Sequence, residues 1–505
     1  QGYYWRFAPN RDASLRGYLY SQSAPMIEGR YRALTGNGAY QLGGYLTYSG
    51  QDDNEDPTVE PRDRPRGSIE GNGSFQFGDN WTARGVLRLA SDRTFLRRYD
   101  ISNDDRLRNM AQIERVGDRS YFAVTGWAVQ TMIIGESQGA IPVALPVIDW
   151  RMRAADPLVG GTVHFQANTL AVTRSNGQDS QRLFASAQWD LRRYTPLGQE
   201  VTFTLYGRGD LYHTSDTDGT AVTIYRGDEG WTTRGIATAA VDVKWPLIGS
   251  AFGGTQIFTP RVQVVASPEI ANLLVPNEDS RAVDLETSNL FALNRFPGYD
   301  RYEGSVRVTY GLDWSLRRND FSVDATIGQS YRLDDSPTIL PNGTGLSDRL
   351  SDVVGRVELR FKDLVRLTHR FRLDKDGGGL RRNEIDFAVG SRETYVIGSY
   401  LRLDRSIGPT VEDLRDREEA QIGGRVKFAR FWSAFGSATV DLTSAGEDPL
   451  STLDGYSPVR HRLGLAYDDD CLSASITWKR DYLNQGDARQ GDSILFRLAF
   501  RNLGV

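Results

Sequence analysis

Residues 306–317 read VRVTYGLDWSLR, and every second residue is apolar. Val306, Val308, Tyr310, Leu312, Trp314 and Leu316 share one face, opposed by Arg307, Thr309, Gly311, Asp313, Ser315 and Arg317. Successive side chains of a strand point to opposite faces, so the pattern describes a strand with one apolar and one wet side. It exceeds the usual strand of about 5–6 residues and fits the roughly 9–11 that cross a bilayer at a tilt. The next segment repeats it, with Phe321, Val323, Ala325 and Ile327 against Ser322, Asp324, Thr326 and Gly328. Val357, Leu359 and Phe361 alternate with Arg356, Glu358 and Arg360, and Ile494, Phe496, Leu498 and Phe500 with Leu495, Arg497, Ala499 and Arg501. No helical period competes over comparable lengths. Charges in every second position need water on that face. Sustained long strands with Trp and Tyr near their ends favour a membrane barrel over a soluble sandwich.

The expected fold is therefore all-β, a large antiparallel transmembrane β-barrel of the outer-membrane type. At about twenty residues per strand and connection, the 505 residues give roughly 24–26 strands in one domain, at the upper end of common barrels. Lipid-facing and lumen-facing residues cancel in any hydropathy window, which reconciles 39% hydrophobic residues with the absence of a run of about 18 apolar residues. The opening QGYYWRFAPN has no basic stretch followed by an apolar one, so it reads as a mature or trimmed start.

A net charge of −5 argues against a general nucleic-acid binder. The cations are skewed, with 55 arginines and five lysines. Arginine grips phosphate and carboxylate in two-point contacts, although a biased base composition gives the same skew. Polar stretches at 50–67, 215–220, 334–349 and 405–420 read as outer loops. Residues 268–303 form the longest region without alternation, and such loops are usually functional or disordered. In 134–150, Pro142 and Pro146 argue against a regular central strand. No plug domain is legible, and so wide a pore needs one from elsewhere.

The four histidines, His164, His213, His369 and His461, lack metal-ligand spacing, and neither H-E-x-x-H nor G-x-S-x-G occurs. His369 breaks the apolar face of its strand, which suits an interface or a loop contact. Asp468, Asp469 and Asp470 read as a solvated turn rather than a calcium loop, because the EF-hand spacing is absent. No enzyme activity and no cofactor are implied. Cys471 is the sole cysteine, so it is inert, reactive, or paired with a cysteine on another chain or another segment. It leads a strand in which Leu472, Ala474, Ile476 and Trp478 share the apolar face, which puts Cys471 on the lumen side.

Several segments together resemble one family, the lipopolysaccharide assembly protein LptD. YYWRFAPNRDASL at the start is similar to the family's first-strand signature, and RYRAL at 30–34 to its next strand. LFALNRFPGYDRYEGSVRVTYGL at 290–312 resembles its aromatic loop and following strand, and ILFRLAFRNLG its closing strand. The resemblance implies a barrel of about twenty-six strands behind a periplasmic β-jellyroll that this chain lacks. It implies an LptE-like lipoprotein plug, an LptA-type bridge delivering lipopolysaccharide, and release between the first and last strands into the outer leaflet.

Under that resemblance the lateral gate involves Gly2, Pro9, Gly17, Ile494, Phe496 and Leu498. Gly2 and Gly17 stand where the family carries prolines, which weaken pairing by lacking an N–H. Glycine keeps its N–H and weakens a strand through entropy instead. Arg16, Arg497 and Arg501 have the parity to meet lipopolysaccharide phosphates near the exit, or to pair with lumen carboxylates. The family's vicinal cysteine pair is Asp470 and Cys471 here, which implies at most one disulfide, to the missing N-terminal domain. The contrasting function is a large outer-membrane channel or receptor for small solutes.

Overall fold

A computed structural model describes residues 2–21, 23–51, 62–220, 222–281, 283–334, 339–404, 416–444, 455–482 and 490–500. The chain forms one 26-stranded sheet. Its first strands are β1 (Gly2–Ala8), β2 (Arg11–Tyr18), β3 (Met26–Thr35), β4 (Gly38–Gln51), β5 (Arg62–Phe77), β6 (Trp81–Ala90), β7 (Arg106–Val116), β8 (Ser120–Thr131) and β9 (Val143–Arg153). Then come β10 (Thr162–Thr173), β11 (Asp179–Tyr194), β12 (Glu200–Ser215), β13 (Gly230–Lys244), β14 (Leu247–Ala251), β15 (Gly254–Ala266), β16 (Val306–Arg317), β17 (Phe321–Arg332) and β18 (Val353–Phe361). The last are β19 (Val365–Leu373), β20 (Leu380–Gly390), β21 (Tyr395–Leu403), β22 (Arg417–Lys427), β23 (Trp432–Asp441), β24 (Ser457–Asp468), β25 (Leu472–Asp481) and β26 (Gly491–Phe500). A one-turn helix, α1 (Phe95–Arg98), lies in the β6–β7 connection.

Apart from β13 and β14, successive strands pair antiparallel, so the wall is an up-and-down meander. β13 and β14 lie end to end against β15 and share one place in the wall. Short turns gather at one end and long connections at the other. With β13 and β14 in one place, β1 and β26 run in the same direction, from the long-connection end to the short-turn end. Among the described residues β1 pairs with β2 and β26 with β25, and neither takes a second partner.

Outward positions are apolar and exposed, as in Leu183, Leu205, Val262, Val264, Leu463 and Ile476. Phe77 stacks on Trp81 at 6.1 Å, and Trp81 meets Phe122 edge-on at 6.3 Å at the short-turn rim. Such rings sit at the level of lipid headgroups. The inward face of the same strands carries charge, for example Glu358 between Arg356 and Arg360. The outer-membrane barrel fold expected from the alternation is thus present. His369 lies on the outward face, its Nε2 3.0 Å from Asn383 Oδ1 on the next strand.

Two boundaries differ from expectation. Pro146 lies inside β9, and both neighbouring ladders skip residues 145 and 146, passing from Ala144 to Val147. The proline occupies a bulge where no ladder N–H is required. The loop expected at 50–67 is shorter, because β4 runs to Gln51 and β5 starts at Arg62, with Pro65 opposite Tyr48. The loop expected at 405–420 likewise gives way to β22 at Arg417, and its residues 405–415, like 335–338 of the loop at 334–349, lie outside the described residues.

Glycines receive aromatic rings from the strand opposite, Gly355 and Gly398 on the outward face and Gly464 on the lumen face. A Cβ on Gly355 would lie 2.1 Å from Phe371, one on Gly464 2.3 Å from Phe435, and one on Gly398 2.5 Å from Phe387. Each ring covers a glycine directly opposite or beside it in the ladder, a device that pins register. Valine at Gly398 is expected to expel the Phe387 ring and cost about 1–3 kcal/mol, as overpacking does. Urea titration of the detergent-solubilised barrel measures it, and an unchanged midpoint would mean the ring has free space elsewhere.

Candidate functional site

The longest connection, residues 267–305 between β15 and β16, turns inward and packs against the lumen face of the wall. Val275, Leu285 and Leu290 within it are fully buried. Val283, Leu285, Leu290 and Phe296 form an apolar cluster with Leu340, Leu346 and Val354. The barrel thus supplies part of its own filling, which the sequence marked only as a region without alternation.

Three arginines on adjacent strands receive this segment: Arg182 on β11, Arg208 on β12 and Arg234 on β13. Arg208 Nε donates to Asp210 Oδ1 at 2.5 Å, and Arg234 Nε to Asp210 Oδ2 at 2.7 Å. Both guanidinium groups also donate to the Tyr299 carbonyl, at 2.8 and 3.1 Å, and Arg234 reaches the Asp300 carbonyl at 2.6 Å. Arg182 Nη1 donates to Asp300 Oδ1 at 2.5 Å and to Asp279 Oδ2 at 2.8 Å. The other Asp300 oxygen accepts the Glu278 and Asp279 amides at 2.7 and 3.1 Å. Arg208 lies 4.1 Å from the centre of the Phe184 ring, and Arg182 5.2 Å from that of Tyr299.

A second set follows along the same connection. Arg295 Nε donates to Glu303 Oε2 at 2.7 Å, and Arg307 donates to the Ala292 and Leu293 carbonyls, each at 2.8 Å. Arg301 reaches the carbonyls of Val275 at 2.9 Å and Ile224 at 2.8 Å. Asp284 pairs with Arg372 and, at 3.1 Å, with Arg382. Desolvating so many charges is costly, and buried carboxylates such as Asp210, Asp300 and Glu303 offset part of that cost. Among the described residues no group of three or more His, Cys, Asp or Glu is placed to hold a metal ion. The arrangement can hold a polypeptide segment rigidly across one side of a wide lumen.

Burial pushes the Asp300 carboxyl up, but Arg182 and the Glu278 amide outweigh it and hold the group at about 2. For Glu303, burial is likewise outweighed by Arg295 and Arg307, again giving about 2. Asp279 moves the other way, raised by burial and then by the charge of Asp300. A carboxylate held below its unfolded value of about 4 stabilises fully above that value and loses the contribution as pH falls through the folded value. Asp279 opposes this in part, since protonating it relieves a cost. The net expectation is that amides of 278–303 lose hydrogen-exchange protection as pH falls from about 4 toward 2, while the wall strands keep theirs. Equal protection of both across that window would mean the ion pairs do not hold the segment.

The residues expected at a gate lie at the two edges of the sheet. Gly2 and Arg16 oppose each other in β1 and β2, and a Cβ on Gly2 would lie 3.1 Å from Arg16 Cγ. Pro9 is in the β1–β2 turn, and Gly17 opposes Ile27 on the outward face. Ile494, Phe496 and Leu498 project outward from β26, while Arg497 faces inward beside Ser475. Arg16 Nη1 is 3.5 Å from Glu28, the carboxylate pairing that stood against a phosphate role. Arg501 lies outside the described residues. Among the described residues the first strand does not pair with the last. Both faces of each are exposed, shown by Tyr3, Tyr4 and Trp5 in succession and by Ile494, Leu495 and Phe496.

Cys471 is exposed in the β24–β25 turn at the short-turn end, one residue before the strand it was expected to lead. The aspartate two residues before it shapes that turn: Asp469 Oδ1 accepts the Cys471 and Leu472 amides at 2.8 and 2.6 Å. The arginine sets around 278–303 were not legible in the sequence. Their only trace was an unusual density of charge in a stretch without strand periodicity.

The model of the family "LPS transport system D" (LptD) matches residues 64–432. The chain is 28% identical over 344 residues to the LPS-assembly protein LptD of Nitrosospira multiformis, covering 62% of this chain and 34% of that one. To the LPS-assembly protein LptD of Nitrosococcus oceani it is 24% identical over 526 residues, covering 99% of this chain and 65% of the relative, so the chain spans less than two thirds of both relatives. Among solved structures, the siderophore receptor PirA from Pseudomonas aeruginosa aligns with TM-score 0.36 and 9% identity over 95% of this chain and 79% of that one.

Proposed function

The chain belongs to the LptD family and to the outer membrane of a Gram-negative bacterium, and from that premise we propose that it moves lipopolysaccharide into the outer leaflet through the seam between β1 and β26. The observation that carries this reading is the state of the two edges: both are exposed on both faces, and among the described residues β1 pairs with β2 alone and β26 with β25 alone. The inward segment supports it, because 267–305 is fixed to the wall of β10–β20, away from the edges. In this reading the wet, arginine-lined lumen carries the phosphorylated sugar head. The acyl chains leave between the outward rows Tyr3, Trp5, Phe7 and Ile494, Phe496, Leu498, and Arg497 meets phosphate on the inner side. Gly2 and Gly17 loosen the first strands by entropy.

An LptE-like lipoprotein fills the remaining lumen, and an LptA-type bridge delivers the substrate by way of a periplasmic domain. Cys471, exposed on the short-turn side, forms its one disulfide with that domain. No catalytic step is part of this function, and the driving force comes from the partners. The test is a photo-crosslinking amino acid at Arg497 of the full-length protein in growing cells. Lipopolysaccharide capture that vanishes when the bridge is depleted is the expected result. No capture at Arg497 or Arg16, together with solute conductance by the purified barrel, would make it a channel or receptor for small solutes.

A further inference from the structure

The β6–β7 connection, residues 91–105, is rooted in the first strands of the barrel. Arg66 on β5 holds Asp92 through Nε at 3.0 Å and Nη2 at 2.8 Å, both groups buried. Asp92 Oδ1 in turn accepts the Phe95 amide at 2.8 Å. Phe95, Leu96 and Tyr99 pack with Met26, Leu107 and Met132, and Tyr18, Tyr20 and Tyr45 lean on the cluster. Tyr99 donates to Ser49 at 3.0 Å. On this base the chain turns at Asp100, whose φ of 54° is left-handed.

The Asp100 side chain reaches to the far edge of the sheet. Its carboxylate lies 2.7 Å from Lys479 Nζ on β25 and 3.4 Å from Arg462 Nη2 on β24. Beside it, Arg460 Nη2 donates to Asn103 Oδ1 at 3.1 Å, a contact across 357 residues of chain. Asp481 sits behind the cations, 2.6 Å from Lys479 Nζ and 2.5 Å from Arg460 Nε. Lys479 is one of five lysines in the chain and is itself buried. Around the wall, β6 and β25 are separated by most of the sheet. Across the seam they are separated by β26 and β1–β5. These polar side-chain contacts join strands β1–β9 and their connections to β24–β26.

We infer that Asp100 is an ionic clasp across the seam, holding β24 and β25 to the first strands at the long-connection rim, and that its release is a step in opening. The inference rests on the proposed exit between β1 and β26 for its consequence, though not for its geometry. A contact of this kind suits a gate: Asp100 is partly exposed, so water and salt weaken the pair. The rooted loop on one side and paired strands on the other give it two firm ends.

The test places spin labels through a non-natural amino acid at Ser14 and Ser475 of the full-length protein, leaving Cys471 untouched, and measures their separation by pulsed electron resonance. Asp100→Asn keeps a side chain that tolerates positive φ while removing the charge. It is expected to add a longer-distance population, as is Lys479→Met. High salt is expected to do the same to the unmodified protein and to have no further effect on Asp100→Asn. Distances unchanged in both variants, or by salt in the unmodified protein if the variants do not fold, would overturn the clasp. Crosslinking at Arg497 separates it from the exit itself. Lengthened distances without lipopolysaccharide capture keep the clasp and sink the exit, whereas capture with unchanged distances does the reverse.

Discussion

Asparagine in place of Asp210 is expected to cost about 3–5 kcal/mol, the usual result of removing one partner from a buried ion pair. Asp210 has no exposed side-chain surface and sits between two arginines that are nearly as buried. The change preserves shape and leaves two buried positive charges without a carboxylate. Those arginines also hold the Tyr299 and Asp300 carbonyls, so the damage is expected to reach the inward segment. Two measurements check this: the urea midpoint of the barrel in detergent, and uptake by cells of an antibiotic too bulky for ordinary porins. Replacing all three, Asp210→Leu with Arg208→Met and Arg234→Met, separates the effects. Apolar replacement of a buried triad is often neutral or stabilising, so stability is expected to return while the segment stays undocked and uptake stays high. If Asp210→Asn changes neither quantity, water reaches the arginines and the segment is held elsewhere.

The second large effect lies in two consecutive residues. Ile422 at the middle of β22 projects outward between Gly398 and Ala438, and Gln421 projects inward between Ser399 and Thr439. Arginine at Ile422 places a charge in hydrocarbon and is expected to cost about 2–4 kcal/mol, the depth-dependent penalty near a bilayer midplane. Arginine at Gln421 enters the wet lumen and is expected to change stability by less than about 0.5 kcal/mol, as exposed substitutions usually do. Folding into lipid vesicles measures both. Equal costs would mean that β22 does not face lipid.

The wall was legible because its cause is local. Alternation in VRVTYGLDWSLR depends on a period of two, and a strand cannot shift by one residue without exchanging its faces. Bulges were less legible: Pro146 reads as a breaker until two ladders are seen to skip it together. The inward segment was recognisable only as a stretch lacking the pattern. Its fixation depends on pairs such as Arg182 with Asp300, 118 residues apart, and no spacing rule links them. Arg307 shows both sides of this. Its inward direction followed from alternation, but its partners, the Ala292 and Leu293 carbonyls, belong to a connection with no period.

The shared direction of β1 and β26 has a consequence for any joint between them. Everywhere else in the wall, adjoining strands run antiparallel and exchange perpendicular bonds in alternating narrow and wide pairs, and short turns at one end fix the register of every second pair. Laid directly together, β1 and β26 would form slanted, evenly spaced bonds, slightly weaker per residue, with no hairpin between them to set the register. Such a joint is a butt joint in a wall otherwise dovetailed. It parts more easily than its neighbours because of the way the chain runs, whatever residues stand at positions 2 and 17.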